Sequence, residues 1–388
     1  VQRTKILVVK MDKLRVEVQR NISNQSTSQL INQSTNQPVN QSTNQLINQS
    51  TNQLTNQSTS MTISFYSAQS YDQTYFDRFN TTHNIHYIET RLDEQTVGLC
   101  AGSDAVCLFV NDHASAATIQ QMSKQGIRLI ALRCAGFNNV DVAAATAGGI
   151  PVVRVPAYSP HAIAEHAVAL ILTLDRKTHK AYNRVREGNF SLDRLTGFDL
   201  FGKTVGVVGT GKIGAVFCEI MLGFGCKVLA YDVVENALLI SKGVQYCTLP
   251  ELLAAADIIS LHCPLNTATH HLINAESLRK MKPGAMLINT GRGALIDSNA
   301  VVEALKSKQL GYLGIDVYEQ EENLFSLDLS DTIIPDELIL QLMAFPNVLI
   351  TAHQAYFTEE ALSEIARITM ANIDAFVGGG ELKNRVVV

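Results

Sequence analysis

The chain has 388 residues, a formal net charge of -5 and a pI near 6.1. That length suits two globular cores, and the mildly acidic balance gives no electrostatic reason to expect a nucleic-acid or anionic-membrane partner. No apolar run reaches the roughly 18 residues a membrane helix needs; Ala162–Leu174 is too short and contains Glu165 and His166. Seven cysteines (Cys100, Cys107, Cys134, Cys218, Cys226, Cys247 and Cys263) form no CxxC pair. Such an unpatterned set fits a reducing cytoplasm, the expected location.

The first sixty residues stand apart. From Ser23 to Ser60 the chain is mostly Asn, Gln, Ser and Thr, and the unit NQST returns at Asn32, Asn40 and Asn48. Such a stretch has nothing from which to build a core, so residues 1–60 are expected to be a disordered tail. Met61 is the expected native start, with the tail read as translated repetitive DNA. The cations of Val1–Arg20 precede no apolar h-region, so this is not a secretory signal.

From Met61 onward, strands and helices alternate. Strands are expected at Thr62–Tyr66, Ile85–Glu89, Ala105–Phe109, Arg128–Ala131 and Val152–Val155, with helical stretches such as Tyr71–Phe79 and Ala114–Lys124 between them. Pro156 and Pro160 bound a connector, and Ser159 and Pro160 supply the cap and first residue of a long helix, about His161 to Arg186. Later strands are expected at Val205–Val208, Lys227–Tyr231, Ile258–Leu261, Ala285–Asn289, Leu313–Asp316 and Val348–Thr351, with a helix at Ser298–Lys306. Glu359–Phe376 is a last helix, ending before Gly378, and the chain after Thr351 should cross back to the first half.

The fold expected is therefore α/β: two Rossmann-like domains of doubly wound parallel sheet with an active-site cleft between them. Residues 61–158 and 355–388 would form the substrate-binding domain and 159–354 the nucleotide-binding domain.

Val205–Asp232 is the most informative segment. It runs strand, Gly209, Gly211 and Gly214, helix, second strand, then Asp232. Gly209 permits the tight turn, Gly211 lets a pyrophosphate approach the backbone, and Gly214 allows helix–strand packing. Asp232 falls about 20 residues on, where a carboxylate accepts from the ribose hydroxyls of NAD and repels the 2′-phosphate of NADP.

Hydride transfer to a keto acid needs a cation for the carboxylate, a proton donor titrating near neutrality, and a carboxylate to orient that donor. Three strand ends offer these. Asn289–Gly293 carries Arg292 between two glycines. Gly314–Glu321 carries Asp316, Glu319 and Glu321, which spacing alone cannot rank. Thr351–Ala355 carries His353, for which His161, His166, His262, His270 and His271 are competitors. No His, Cys or Asp set has metal-ligand spacing, so no metal is expected.

The stretches LRCAGFNNVD (132–141), RVPAYSPHAIAEHA (154–167), GTGKIG (209–214), SLHCPL (260–265), NTGRGALID (289–297), GIDVYEQE (314–321) and TAHQAYFT (351–358) carry a resemblance. From Met61 on, the chain resembles the D-isomer-specific 2-hydroxyacid dehydrogenase family, and within it the fermentative NAD-dependent D-lactate dehydrogenases of bacteria. The resemblance implies Arg292 as substrate clamp, Glu321 as orienting carboxylate and His353 as acid/base. It implies that Tyr158 and the backbone at Ala135 and Gly136 hold the substrate. Tyr356 is read beside Tyr158 as the wall of a small pocket, which favours a small substrate. Cofactor contacts would come from Gly209, Gly211, Lys212, Ile213, Gly214, Asp232, Cys263, Pro264, Thr290 and Asp316. Gly291 stands where the family more often has serine. The implied reaction is NADH-dependent, reversible reduction of pyruvate to D-lactate by a homo-oligomer, a dimer or tetramer. The alternatives are a bulkier or phosphorylated 2-keto acid and, in another class, an NAD-sensing corepressor-like binding protein.

Overall fold

The structure is a computed structural model that describes residues 60–325 and 327–387. The reading of the polar tail lies outside the described residues.

Five parallel strands build the first sheet: β1 (Thr62–Phe65), β2 (Asn84–Tyr87), β3 (Ala105–Leu108), β4 (Leu129–Leu132) and β5 (Val152–Val153), in the order β2-β1-β3-β4-β5. Every residue of β3 and β4 is buried. Helices cover both faces of a parallel sheet, so its central strands read as continuous apolar runs rather than alternating ones. Seven parallel strands build the second sheet: β6 (Thr204–Val208), β7 (Lys227–Tyr231), β8 (Gln245–Tyr246), β9 (Ile258–Leu261), β10 (Ala285–Asn289), β11 (Leu310–Ile315) and β12 (Val348–Ile350). Their order is β12-β11-β10-β9-β6-β7-β8, so the strand order reverses between β6 and β9. At such a reversal, loops from the carboxyl ends of neighbouring strands part and leave a crevice.

The expected helix from His161 to Arg186 is in fact two. Ser159 caps the first, Pro160–Arg176, by accepting from the Ala162 amide at 3.2 Å, with Pro160 in its first turn. Lys177 then turns into the left-handed region at φ 51°, and Thr178–Arg186 forms a second helix with no buried residue. The returning chain causes the break. Asp175 accepts from the Phe198 amide at 2.6 Å, and a Cβ on Gly197 would lie 2.7 Å from the Asp175 carbonyl. The first helix packs its buried Leu170, Ile171 and Leu174 against the second sheet with Val207 and Ile288. Past Asp175 the sequence offers no buried stripe to continue it.

Two further differences have local causes. The edge strand β8 has only two residues, too few for a sequence pattern. β11 starts earlier than expected because Gly311 lies against Gly284, where a Cβ would come 2.2 Å from the Gly284 carbonyl. The last helix, Glu359–Val377, returns to the first sheet, where Ile365, Ala366, Met370 and Ile373 share a core with Ile63, Phe65 and Leu129. Among the described residues no helix is long and apolar enough to cross a membrane.

Gly214, in the helix Lys212–Gly223 after β6, sets the distance between helix and turn. A Cβ there would lie 1.9 Å from the Gly209 carbonyl oxygen, a backbone atom that cannot swing aside. Gly214→Ala should therefore lower the unfolding free energy by about 1–3 kcal/mol. Urea unfolding checks this, through a lower midpoint at unchanged slope.

Candidate active site

The loops at the carboxyl ends of both sheets line one cavity of ≈ 460 Å³. The first sheet contributes Ala135–Asn138 after β4, and Arg154 and Tyr158 after β5. The second contributes Ile213, Cys263, Pro264, Thr290, Arg292, Asp316 and His353, with Tyr356 beyond them.

His353 is fixed from three directions. Its ring Nδ1 lies 2.9 Å from Glu321 Oε1, which leaves Nε2 as the free nitrogen. Its backbone N–H donates to the Asp316 carbonyl at 2.7 Å, and its backbone sits in the left-handed region at φ 52°. Glu321 is oriented in turn by the Tyr318 amide, which donates to Oε2 at 3.0 Å. Glu319, the competing carboxylate, points elsewhere: it meets His271 Nε2 at 2.5 Å and accepts from the Ser298 hydroxyl at 3.1 Å. Thus the structure ranks carboxylates that spacing could not. His270 lies beside His271 with rings stacked at 4.0 Å, and these two with Glu319 are a group of potential metal-ligating side chains away from His353. The burial of the His262 ring pushes it down to about 3, so it is a neutral partner of Ser260.

Asp316 was expected on the cofactor side, and it lines the cavity, but its carboxylate does more than face a ligand. Oδ1 accepts from the Thr351 hydroxyl at 2.5 Å and the Gln354 amide at 2.8 Å, and Oδ2 accepts from the Ala355 amide at 2.9 Å. His166 Nε2 lies 3.5 Å from Oδ1 and 3.0 Å from Thr351 Oγ1. Burial works to raise this carboxyl, yet His166, Thr351 and the two amides outweigh it and hold Asp316 below the usual carboxylate range. His166, a competitor of His353 in the sequence, is thus a partner of the loop that carries His353.

Arg292 leads out of β10 on a loop shaped by its glycines. A Cβ on Gly293 would lie 2.1 Å from the Tyr318 carbonyl carbon, so only glycine lets this loop rest on the segment leading to Glu321. A Cβ on Gly291 would meet nothing closer than 3.4 Å, so the position accommodates the family's serine as well as glycine. The guanidinium lies against the first sheet's loop, with Nη2 2.7 Å from where a Gly136 Cβ would be. Tyr158 and Tyr356 form an edge-on pair 6.4 Å apart, and Tyr356 also sits 6.5 Å from His353. Burial pushes the Tyr158 phenol up to about 12, so it remains a donor at neutral pH.

In the turn after β6, Gly209 adopts φ 93° with Cys263 against it, while a Cβ on Gly211 would meet nothing within 4 Å. Gly211 therefore leaves open space at the N-terminus of the helix Lys212–Gly223, where backbone amides and the helix dipole favour a phosphate. Asp232 Oδ2 accepts from the Thr210 amide and hydroxyl at 2.5 and 3.0 Å, and Oδ1 from Val233 at 2.7 Å. Burial opposes its charge, but these bonds prevail and hold Asp232 below the usual range, as an anion. The Thr290 hydroxyl is buried in the cavity wall with no partner among the described residues. The glycine turn at the helix N-terminus and the unpartnered Thr290 hydroxyl are both features that fit a dinucleotide.

Residues 168–355 match the family described as D-isomer specific 2-hydroxyacid dehydrogenase, NAD binding domain. The D-lactate dehydrogenase of Escherichia coli is 46% identical over 329 residues, covering 84% of this chain and 100% of that one. The chain belongs to the D-isomer-specific 2-hydroxyacid dehydrogenase family. The 2-hydroxyacid dehydrogenase A of Aspergillus oryzae is 51% identical over 332 residues, 84% of this chain and 95% of that one. The structure of a D-lactate dehydrogenase from Aquifex aeolicus, complexed with NAD and lactic acid, is 35% identical with a TM-score of 0.74, covering 84% of this chain and 99% of that one. As a member of this family, the protein is an oxidoreductase that acts on CH–OH groups with NAD as cofactor.

Sequence reasoning left Arg154, Phe137, Asn138 and Ile163 of the cavity wall unassigned. Phe137, Asn138 and Arg154 adjoin residues it had singled out; nothing in the sequence aimed them at the cleft.

Asp316→Asn replaces an acceptor of several N–H and O–H groups with an amide that donates, and should cost roughly 2–4 kcal/mol of stability at neutral pH. A depressed folded value means that this stability is present above the ordinary carboxyl value of 3.8 and is lost as pH falls through the folded value. Urea titrations of both proteins should show a gap that is constant from neutral pH down to about pH 4 and closes below it. A gap that persists in acid would contradict the charge-based role.

Proposed function

We propose that this dehydrogenase interconverts pyruvate and D-lactate with NADH and NAD. Residues 61–158 and 355–388 hold the acid, and residues 159–354 hold the nucleotide. The observation that carries the reading is a His353–Glu321 pair at 2.9 Å opening on the same cavity as Arg292. Support comes from the D-lactate dehydrogenase relatives and from the aromatic wall of Tyr158 and Tyr356, which suits a small acid.

Arg292 pairs with the substrate carboxylate and draws electron density from the keto oxygen. The Ala135–Gly136 backbone and the Tyr158 hydroxyl complete the grip on the acid. His353, with Nδ1 held by Glu321, presents Nε2 to the keto oxygen and delivers the proton in reduction; in oxidation it takes that proton back. NADH, when bound, supplies the hydride to the keto carbon. Gly209, Gly211, Lys212, Ile213 and Gly214 would cradle its pyrophosphate, Asp232 its ribose, Cys263 and Pro264 its adenine side, and Thr290 and Asp316 its nicotinamide side.

A homo-oligomer, dimer or tetramer, is the proposed assembly; exposed Tyr182, Phe190, Leu192 and Phe201 support it as surface that a second copy would cover. The described cysteines are all free thiols, as suits the cytoplasm.

The deciding experiment is NADH oxidation with pyruvate, hydroxypyruvate, phenylpyruvate and 2-ketoisocaproate, with chiral analysis of the products. D-Lactate from pyruvate is expected at the highest kcat/KM. Tight NADH binding without turnover of any keto acid would instead favour the corepressor-like alternative.

Arg292→Gln should lower kcat/KM for pyruvate by roughly 10²-fold or more, through both kcat and KM, with NADH affinity near normal. If NADH binding collapses while the pyruvate KM holds, Arg292 belongs to the cofactor.

Asp232→Ala removes an anion that repels a 2′-phosphate. The kcat/KM ratio of NADH to NADPH should fall by about tenfold or more. Steady-state kinetics with each cofactor reads it, and an unchanged ratio would exclude Asp232 from the ribose site.

A further inference from the structure

We propose that Arg154 forms a second anion subsite in the cavity, so that the enzyme also reduces 2-keto dicarboxylates to the corresponding 2-hydroxy dicarboxylates. This rests on the dehydrogenase reading above and extends its substrate class.

Two guanidiniums converge on one short loop. Arg292 lies against Gly136, and Arg154 Nη1 donates to the neighbouring Ala135 carbonyl at 2.7 Å. Both side chains line the same ≈ 460 Å³ cavity, and both residues are half-buried. The arginine ion pairs among the described residues belong to Arg128, Arg133, Arg194 and Arg367, and neither Arg154 nor Arg292 has a carboxylate partner. The acids near the cavity are already engaged: Asp316 by Thr351, Gln354, Ala355 and His166, and Glu321 by His353 and Tyr318. A 2-keto monocarboxylate brings one negative charge, which Arg292 takes. Arg154 is then a cation in a partly desolvated wall with no anion of its own.

Its setting suits a fixed recognition group. The guanidinium lies over the Phe137 ring, 5.1 Å from the centroid, a stacking contact that restrains its plane. One of five N–H donors is committed to Ala135, which leaves donors for a carboxylate. The chemistry at the reacting carbon is unchanged. The cofactor's hydride adds to the keto carbon, His353 gives the keto oxygen its proton, and NADH is oxidised to NAD as the 2-hydroxy dicarboxylate forms. The second carboxylate takes no part beyond pairing with Arg154.

The alternative is that Arg154 only props the Ala135–Gly136 loop. The two roles separate by charge, with oxaloacetate set against the neutral-tailed 2-ketobutyrate at saturating NADH. Malate is quantified by chiral chromatography, so that pyruvate formed by spontaneous decarboxylation is not counted. The wild-type enzyme should form D-malate. Arg154→Gln should lower kcat/KM for oxaloacetate about tenfold more than for 2-ketobutyrate, and Arg154→Lys, which keeps the charge, should recover part of that difference. Raising NaCl should weaken oxaloacetate turnover by the wild type more than 2-ketobutyrate turnover, a readout that needs no variant. Reduction of pyruvate without malate formation would overturn the second subsite and leave the dehydrogenase reading intact. Equal losses on both substrates in Arg154→Gln would overturn it in favour of loop support. Failure of every keto acid, pyruvate included, would remove the reading on which it rests.

Discussion

The active-site half of this molecule depends on one buried carboxylate. Asp316 leaves the end of β11 with its side chain enclosed, and it gathers the hydroxyl of Thr351 and the amides of Gln354 and Ala355. Its own carbonyl takes the His353 amide. Four residues of the next strand's exit loop, Thr351, His353, Gln354 and Ala355, are thereby tied to the end of its neighbour. That grip holds His353 at φ 52°, a conformation a non-glycine residue adopts only when its surroundings over-determine it. A histidine on a free loop would sample several orientations. Here its ring meets Glu321, which the Tyr318 amide orients from the same strand end. His353 is positioned by the backbone of two adjacent parallel strands, so the precision of the sheet passes to its ring.

The same logic explains the glycines. Gly293 lets the Arg292 loop rest directly on the Tyr318–Glu319 peptide, the segment that leads to Glu321. The loops that carry Arg292 and Glu321 therefore share one backbone contact, and a side chain at Gly293 would push them apart. Gly214 and Gly209 make an equivalent contact at the nucleotide end, where helix and turn touch through backbone atoms. In both places the missing Cβ fixes a distance between chemical groups, and at Gly209 the φ of 93° also calls for glycine.

Much of this was legible in the sequence because parallel strands buried on both faces are nearly unbroken apolar runs. Lys227–Tyr231, Ile258–Leu261 and Ala285–Asn289 are strands with the limits expected of them. Element ends governed by tertiary contacts were not legible. The helix break at Lys177 depends on Gly197 and Phe198 returning to Asp175, a contact between residues some twenty positions apart. The site shows the same division. The three strand ends bearing Arg292, Glu321 and His353 could be picked out because reactive residues follow apolar strands. The choice between Glu319 and Glu321 could not be made from spacing: the two are only two residues apart, and the turn after β11 sends one to His271 and the other to His353. Arg154 was left unassigned, and His166 stood only as a competitor of His353, for a related reason. His166 lies in a helix whose pattern is structural and Arg154 in the segment after β5, and only the approach of another loop gives each its polar partner.

Charged site residues without an ion-pair partner among the described residues lie in two places. At the nucleotide end Asp232 is held as an anion by amides of the glycine turn, while Gly211 and the helix N-terminus beside it present partial positive charge. At the acid end Arg292 and Arg154 are cations without carboxylate partners among the described residues. Between them, Asp316 and Glu321 spend their charge inside the protein on backbone amides and histidines. A ligand entering this field meets a cradle for phosphate, an acceptor for hydroxyls and then a cluster of guanidiniums. The two guanidiniums, without carboxylate partners among the described residues, favour an anion in the cavity that His353 also lines.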